Sequence, residues 1–442
     1  MRPLEFLREE CRNVDRALRE TLRHDYGPEL SAEFYQECAS RLEKITRQVQ
    51  PGAIADADRQ KIAVLLADLS YLASLIVLIE RSHLGEFSWP FADELRLLAK
   101  RILVELDLLG VSSEPIVHVV ADGRGYRIRN EDIVQSSSSH RRFAIVLFPR
   151  QLKDHVLLHA IFGHELGHAA LSSTQIAAAI QSQVYPALGG KLLASDETAT
   201  SWLRSNEAPA ELKASLADYE ARYGEPFVLL ETIRTLWLHE FICDLFGLLL
   251  FGPAFLAAHR SIIEPSHPDP LKVDLLEPTH PPYGVRHAML VQAMRLLKWH
   301  KTITMDADGD VHLAELKVLT ELTQDMTSKW ARLFSEEELD NAIKGIQSTL
   351  SGLGYVQPSQ ANMVALVGRL KRSLPPILDG INPDGTSKTE KADFRQILHA
   401  GWVFWGGRDL LEPRSELSFL QTNQLCNQAL LQQRAINEFT GT

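Results

Sequence analysis

The sequence predicts a mainly helical protein with one small β-sheet, an α+β fold. Three observations support this prediction. Apolar residues recur every three or four positions over most of the chain. Between residues 115 and 149 the period changes to two, and turn residues separate the apolar runs. The composition, 45% hydrophobic and 23% charged, is that of an ordinary globular protein.

The length of 442 residues exceeds what one simple core holds and predicts more than one region. We expect a helical N-terminal region over 1–110, a central region over 111–300 and a helical C-terminal region over 301–442. In the first, "LEFLREECRNVDRALRETL" and "FADELRLLAKRILVELDLLG" both repeat apolar residues at three and four.

Two apolar runs must be tested against membrane insertion. Residues 62–79 reach the lower limit of about 18 residues but include Asp68, and residues 245–258 are shorter and include Pro253. Both are predicted to be buried helices, so that no membrane span is expected.

The predicted sheet occupies the middle of the chain. "PIVHVV", the turn "ADGRG" and "YRIRN" have the pattern of a hairpin, and "RRFAIVLFP" follows a run of four serines as a further strand. A helix, "RQLKDHVLLHAIFGHELGHAALSS", comes directly after that strand. A mostly helical stretch then continues to about 300, and the pattern beyond it is helical again.

The net charge and the cysteine content limit which binding partners and which cellular compartment are expected. A net charge of −11 disfavours binding to nucleic acid and to anionic lipid. The four cysteines include no CxxC pair, which argues against a disulfide framework and against a thiolate zinc site. The charged N-terminus lacks the apolar core of a signal peptide, so we expect a cytoplasmic protein.

The stretch "FGHELGHAAL" carries the strongest chemical signal. His164 and His168 lie one helical turn apart on one face, where both imidazoles can reach one ion. Glu165 lies beside the first histidine, where its carboxylate can reach a water on that ion; this is the HExxH pattern of zinc hydrolases. On the same predicted helix, His155 and His159 fall about 180° and 140° from His164 and are interpreted as structural.

A catalytic zinc needs three protein ligands and one open position, so a third ligand is expected downstream. "LWLHEFICDLFG" supplies Glu240 as that ligand. Asp244, one turn further on, would accept the free N–H of His164 and fix its tautomer. Two acids in so apolar a helix need partners of this kind, because unpaired buried carboxylates are costly.

HExxH followed after 72 residues (240 − 168) by ExxxD resembles a gluzincin metallopeptidase. "THPPYGVR", residues 279–286, is similar to the HP-x4-R element of the CAAX prenyl protease and HtpX heat-shock protease family. Cys243 replaces the alanine of that family's ExxAD, and no transmembrane helices like those of the family are predicted. The resemblance implies a soluble relative with a zincin-like catalytic core.

The resemblance also implies that His280 and Arg286 lie near the active centre and help to hold a tetrahedral intermediate. Arg286 has a second possible role, pairing with Glu240 or Asp244. A competing dipeptide, His267-Pro268, has no arginine six residues on. Tyr283 and His239 are weaker donor candidates.

Together these features predict a zinc-dependent metallopeptidase that binds Zn²⁺ through His164, His168 and Glu240 and acts on a peptide or protein substrate. An extended substrate would pair with "FAIVLFP" or with the 116–128 hairpin. Two alternatives remain open: a zinc hydrolase of a non-peptide amide, and a metal-bearing binding or scaffold protein without catalysis.

Two further motifs predict no separate function. "DADGDVHLAELK" lacks the final glutamate of a calcium loop and is interpreted as a turn before a helix. "GWVFWGG" is interpreted as core or loop packing.

Overall fold

The computed structural model describes residues 2–21, 30–82, 89–106, 112–122, 125–131, 142–173, 175–188, 201, 205–206, 208, 210–224, 233–264, 271–272, 279–305, 311–315, 334–378, 392–407 and 417–439. These residues form mainly helices, with one three-stranded sheet and two two-stranded ribbons, which confirms the predicted α+β class. Contacts within the chain divide it into two compact units, Met1–Lys153 and Asp154–Thr442.

The first unit combines N-terminal helices with the sheet. Its elements are α1 (Pro3–Thr21), α2 (Leu30–Gln48), α3 (Arg59–Ser82), α4 (Trp89–Ile102), β1 (Glu105–Leu106), β2 (Ser112–Ser113), β3 (Ile116–Asp122), β4 (Arg127–Glu131) and β5 (Phe143–Pro149). A short 3₁₀ turn, Arg150–Leu152, ends the unit. Strands β1 and β2 pair with each other as a separate ribbon.

Strand β5 lies in the middle of the three-stranded sheet. It pairs in parallel with β3 and antiparallel with β4, so that Ile145 faces His118 on one side and Arg129 on the other. The predicted hairpin between β3 and β4 is therefore wrong. All seven residues of β5 are buried, and so apolar a strand is best accommodated between two neighbours. A central strand has no free edge, which also excludes "FAIVLFP" as the strand that pairs with a substrate.

The sheet shares its hydrophobic core with the N-terminal helices. Ile116, Val120, Phe143, Ile145 and Leu147 belong to one buried cluster with the apolar faces of α1, α2 and α3. The division into two compact units falls after residue 153, and the boundaries near 110 and 300 stay a prediction from the sequence. Residues beyond 300 belong to the same compact unit as those from 154 onwards.

Helix α3 carries the first apolar run. Its buried face includes Leu65, Leu69 and Leu72, which lie in the shared cluster, and Val64 and Val77 are exposed. By length and composition Arg59–Leu78 could cross a membrane, and 39% of its most apolar window is buried. Core helices of soluble proteins pass the same test, so α3 gives only weak evidence of a span.

The second unit carries all of the predicted metal ligands. Its elements are α5 (Phe162–Ser173), α6 (Gln175–Leu188), α7 (Ala210–Tyr223), α8 (Leu238–Phe251), α9 (Pro253–Ile263), α10 (Tyr283–Leu296), β6 (Lys301–Met305), β7 (Val311–Glu315), α11 (Glu336–Leu350), α12 (Gln360–Lys371), α13 (Phe394–Gly406) and α14 (Phe419–Phe439). A π-helical turn, Ile233–Trp237, leads directly into α8.

Helix α5 begins later than the sequence pattern predicted. A 3₁₀ turn, Leu158–Ile161, precedes it, so His155 and His159 do not lie on the same α-helix as His164. His159 is buried and its ring contacts Phe162, which agrees with a structural role.

Two other regions test the sequence interpretation. Strand β7 pairs antiparallel with β6, so residues 311–315 of "DADGDVHLAELK" form a strand and not part of a turn; the helix predicted to follow lies outside the described residues. Helices α8 and α9 are buried along most of their length, as predicted for residues 245–258. Residues 401–406 of the aromatic stretch belong to α13, where Trp402 and Phe404 are core residues.

Candidate metal centre

The centre is built where α5 and α8 approach closely, and glycine makes this approach possible. A Cβ atom on Gly163 would lie 2.7 Å from the Cα of Gly247, and one on Gly167 would lie 2.9 Å from the Cα of Cys243. Contacts this short require the backbone to move. The two helices therefore touch through backbone atoms, which brings the histidines of α5 within reach of the carboxylates of α8.

Three predicted ligands converge at this contact. The Nε2 atoms of His164 and His168 lie 2.9 Å apart. The carboxylate of Glu240 lies 3.4 Å from the first through Oε2 and 3.2 Å from the second through Oε1. Ligands about 2.0 to 2.1 Å from one tetrahedral ion are about 3.3 Å apart. The observed separations are close to this value, and the three residues could hold a metal ion.

The environment of Glu240 supports the same conclusion. This residue is 6% exposed, and its buried Oε2 atom makes no hydrogen bond among the described residues, although Nη1 of Arg286 lies 3.3 Å and Nε2 of His164 lies 3.4 Å from it. A buried carboxylate oxygen needs cations or donors beside it, and a bound metal ion would be a further one. The donor set of two imidazoles and one carboxylate is one that divalent transition metals accept.

His164 is held by a buried charged network. Its Nδ1 atom lies 2.8 Å from Oδ1 of Asp244, which is completely buried. The guanidinium of Arg286 donates two hydrogen bonds of 2.7 Å to the Asp244 carboxylate, and its Nη1 lies 3.3 Å from Glu240. The pairing of Asp244 with His164 leaves Nε2 of the histidine free to face the ligand position.

Electrostatics within this network favour charged carboxylates. Burial would raise the pKa of Glu240, but the two neighbouring histidines and the charge of Arg286 hold it well below its usual value. Burial would likewise raise the pKa of Asp244, which Arg286 keeps well below its usual range. Burial would lower the pKa of His164, yet hydrogen bonds to Asp244 and Glu240 raise it to about 9. The pocket therefore favours a positive charge where the ligand atoms meet.

His168 has different surroundings. Its side chain is 31% exposed, and its Nδ1 lies 3.4 Å from the thiol sulfur of Cys243 instead of a carboxylate. Its ring stacks on His239, with ring centroids 5.1 Å apart and an interplanar angle of 18°. Nδ1 of His239 is in turn 3.0 Å from the hydroxyl of Tyr185.

Glu165 follows the first ligand on α5 and is half-buried. No hydrogen bond or ion pair joins its carboxylate to another described residue, in contrast to the paired Glu240 and Asp244. A carboxylate beside a metal ligand and free of a fixed partner is available for proton transfer.

The two residues predicted from "THPPYGVR" have different surroundings, since His280 precedes α10 and Arg286 lies in the first turn of that helix. His280 is exposed, and its Nε2 lies 3.8 Å from Oε1 of Glu240 at the open side of the centre. Arg286 is buried in its pairing with Asp244, which is the second of the two roles considered from the sequence. Tyr283 begins α10 and is half-buried. His267 lies outside the described residues.

Two residues of the centre gave no signal in the sequence. His259 on α9 is buried with its Nε2 3.4 Å from Oδ1 of Asp244. Tyr185 on α6 reaches the centre through His239. Neither has a defined spacing from the motifs, so only the packing of the helices reveals them.

Comparisons of the chain with protein-family models, curated proteins and solved structures found no match. The geometry of this centre is therefore the main indication of what the protein does.

Proposed function

We propose that the protein is a zinc-dependent metallopeptidase of the gluzincin type, with a zincin-like core built from α5 and α8. The convergence of His164, His168 and Glu240 around one position carries this proposal, because their ligand atoms are 2.9 to 3.4 Å apart. Zn²⁺ is the metal proposed, since two imidazoles, one carboxylate and one open position form a common catalytic zinc set.

The open position is expected on the side of His168. His164 and Glu240 are buried, and Arg286 and Asp244 fill the space behind them, whereas His168 is partly exposed. A bound zinc ion supplies Lewis acidity there, which lowers the pKa of a water towards about 7 and polarises a carbonyl group.

Glu165 would accept a proton from the attacking water and deliver it to the leaving nitrogen. His280, at the open side, would donate a hydrogen bond to the carbonyl oxygen as negative charge develops on it. Asp244 would keep His164 in the ligating tautomer, and Arg286 would keep Asp244 and Glu240 charged. A peptide is the proposed substrate, because proton transfer by Glu165 and hydrogen bonding by His280 are the roles that hydrolysis of an amide bond requires.

The test applies the same substitution to two glutamates of one site. Glu165→Gln should keep about one zinc per chain and the fold but lose nearly all hydrolysis of a peptide library, since glutamine cannot accept the proton. Glu240→Gln should lose zinc, as should His164→Ala and His168→Ala.

Four outcomes would contradict parts of the proposal. Comparable turnover by Glu165→Gln would remove its role as the base, and full zinc in Glu240→Gln would place the third ligand elsewhere. Wild-type protein that cleaves small amides but no peptide in the library would be a hydrolase of non-peptide amides. Wild-type protein with zinc and no hydrolysis of either kind would be a binding or scaffold protein.

A further inference from the structure

A second group of potential metal ligands adjoins the first and shares one histidine with it. His168, His239 and Cys243 each offer a ligand atom, and these atoms all lie within 4.8 Å of one another. The proposed peptidase activity uses neither the thiol nor His239. Any function of this group would therefore be additional to hydrolysis.

The distance between sulfur and nitrogen in this group is that of two ligands on one ion. Sγ of Cys243 lies 3.4 Å from Nδ1 of His168. Bond lengths of about 2.3 Å to sulfur and about 2.0 to 2.1 Å to nitrogen place two tetrahedral ligands about 3.5 Å apart. Nδ1 is the nitrogen that the first centre leaves unused, because the Nε2 atoms face Glu240.

His239 offers the third ligand atom of the group. Its Nδ1 lies 3.0 Å from the hydroxyl oxygen of Tyr185. In the tautomer in which Nδ1–H donates to that oxygen, Nε2 presents a lone pair, as metal-bound histidines commonly do. His239 and His168 are both partly exposed, so an ion can approach the buried thiol from their side.

We propose that His168, His239 and Cys243 form a second cation position, selective for a soft divalent ion such as Cd²⁺. One thiolate and two imidazoles favour soft ions over Mg²⁺ or Ca²⁺. Binding forms bonds from the ion to Sγ and to two ring nitrogens and releases the thiol proton and the Nδ1 proton of His168 to solvent. If zinc were bound at Nε2, the deprotonated His168 ring would be shared by the two ions.

The experiment is a Cd²⁺ titration of the zinc-loaded protein, followed by ultraviolet absorption and metal analysis. Wild type should take up one further equivalent and develop a sulfur-to-cadmium charge-transfer band. Because the first centre contains no sulfur, exchange of its zinc for cadmium cannot produce this band. Cys243→Ala should abolish the band and the extra equivalent while keeping the first zinc.

Cys426→Ala is the matched control, because Cys426 is another buried cysteine of the same unit and should leave the band unchanged. His239→Gln should weaken the binding of the second ion by about 10-fold or more. A band that persists in Cys243→Ala, or wild type that takes up no second equivalent, would overturn the proposal. Cadmium NMR of wild type tests for a sulfur ligand without any substitution. None of these readouts requires peptidase activity, so failure here leaves the proposed function untouched.

Discussion

The two histidines of α5 lie one turn apart, yet their surroundings differ in charge and in exposure. His164 is buried and tied to Asp244, which two hydrogen bonds from Arg286 fix in place. His168 is partly exposed and contacts a neutral thiol and a stacked imidazole. The comparison distinguishes a fixed, charged half from an open half. In the proposed function the first would determine where an ion binds, and the second would leave room for exchange and reaction.

The largest expected effect comes from removing the cation of the buried half. Arg286→Met should lower the free energy of unfolding of the metal-free protein by about 3–5 kcal/mol, because Asp244 and Glu240 lose their buried counter-charge. Urea unfolding measures this. Arg222→Met, which breaks an exposed pair with Asp218, should cost at most about 1 kcal/mol. If both substitutions lowered the free energy of unfolding equally, the buried network would not be the more strongly coupled part of the site.

The next prediction compares the partners of the two histidines directly. Asp244→Asn should weaken zinc binding by about 10–100-fold, because the amide is a poorer acceptor for the N–H of His164. Cys243→Ala should weaken it by less than about 10-fold, since a thiol forms only weak hydrogen bonds. Competition with a zinc chelator gives both affinities. A larger loss in Cys243→Ala than in Asp244→Asn would reverse the assignment of the fixed half.

The close approach of α5 and α8 supports both halves and can be tested with one type of substitution. Gly167→Ala should destabilise the protein by about 1–3 kcal/mol, because the new methyl group meets the backbone of Cys243. Gly368→Ala in α12 meets no atom within 4 Å and should stabilise the protein by about 0.5–1 kcal/mol. Thermal unfolding of both variants decides the point. A tolerated alanine at Gly167 would show that the helices can separate without cost.

The smallest effect on stability is expected at the open side. His280→Ala should leave the zinc content and the fold unchanged, because the side chain is exposed. It should lower kcat by roughly 100-fold with little change in KM, since a donor to the developing oxyanion acts mainly in the transition state. The control is His267→Ala, expected to be near neutral. If His267→Ala impairs turnover and His280→Ala does not, the wrong HP dipeptide was chosen.

The convergence of the ligands could be predicted from sequence because α-helical spacing is regular. Four-residue intervals put His164 with His168 and Glu240 with Asp244 on shared faces, and the cost of burying two acids implied partners for them. Tyr185 and His259 could not be predicted, since they reach the centre through packing between helices. The sequence identified Arg286 but left two roles open for it, donation to an oxyanion and pairing with a carboxylate. The burial of the side chain distinguishes these roles, and burial cannot be read from the sequence.

The prediction of the sheet failed for a related reason. The pattern located β3, β4 and β5 but assumed that neighbours in sequence pair, whereas pairing depends on which strand is most apolar on both faces. Strand β5 is fully buried and lies in the centre. Helix boundaries near His155 and His159 were missed because the 3₁₀ turn before α5 follows nearly the same apolar period.

The central position of β5 has a consequence for synthesis of the chain. Within the three-stranded sheet, β3 and β4 are synthesised before β5. Both strands pair with β5 and not with each other. Neither can form its ladder until residues 143–149 have left the ribosome, and the parallel pairing of β3 with β5 then requires a long loop to close. Until the sheet has formed, part of the apolar surface of the N-terminal helices therefore stays exposed. A nascent chain that stalls before Pro149 would present this surface to chaperones or proteases.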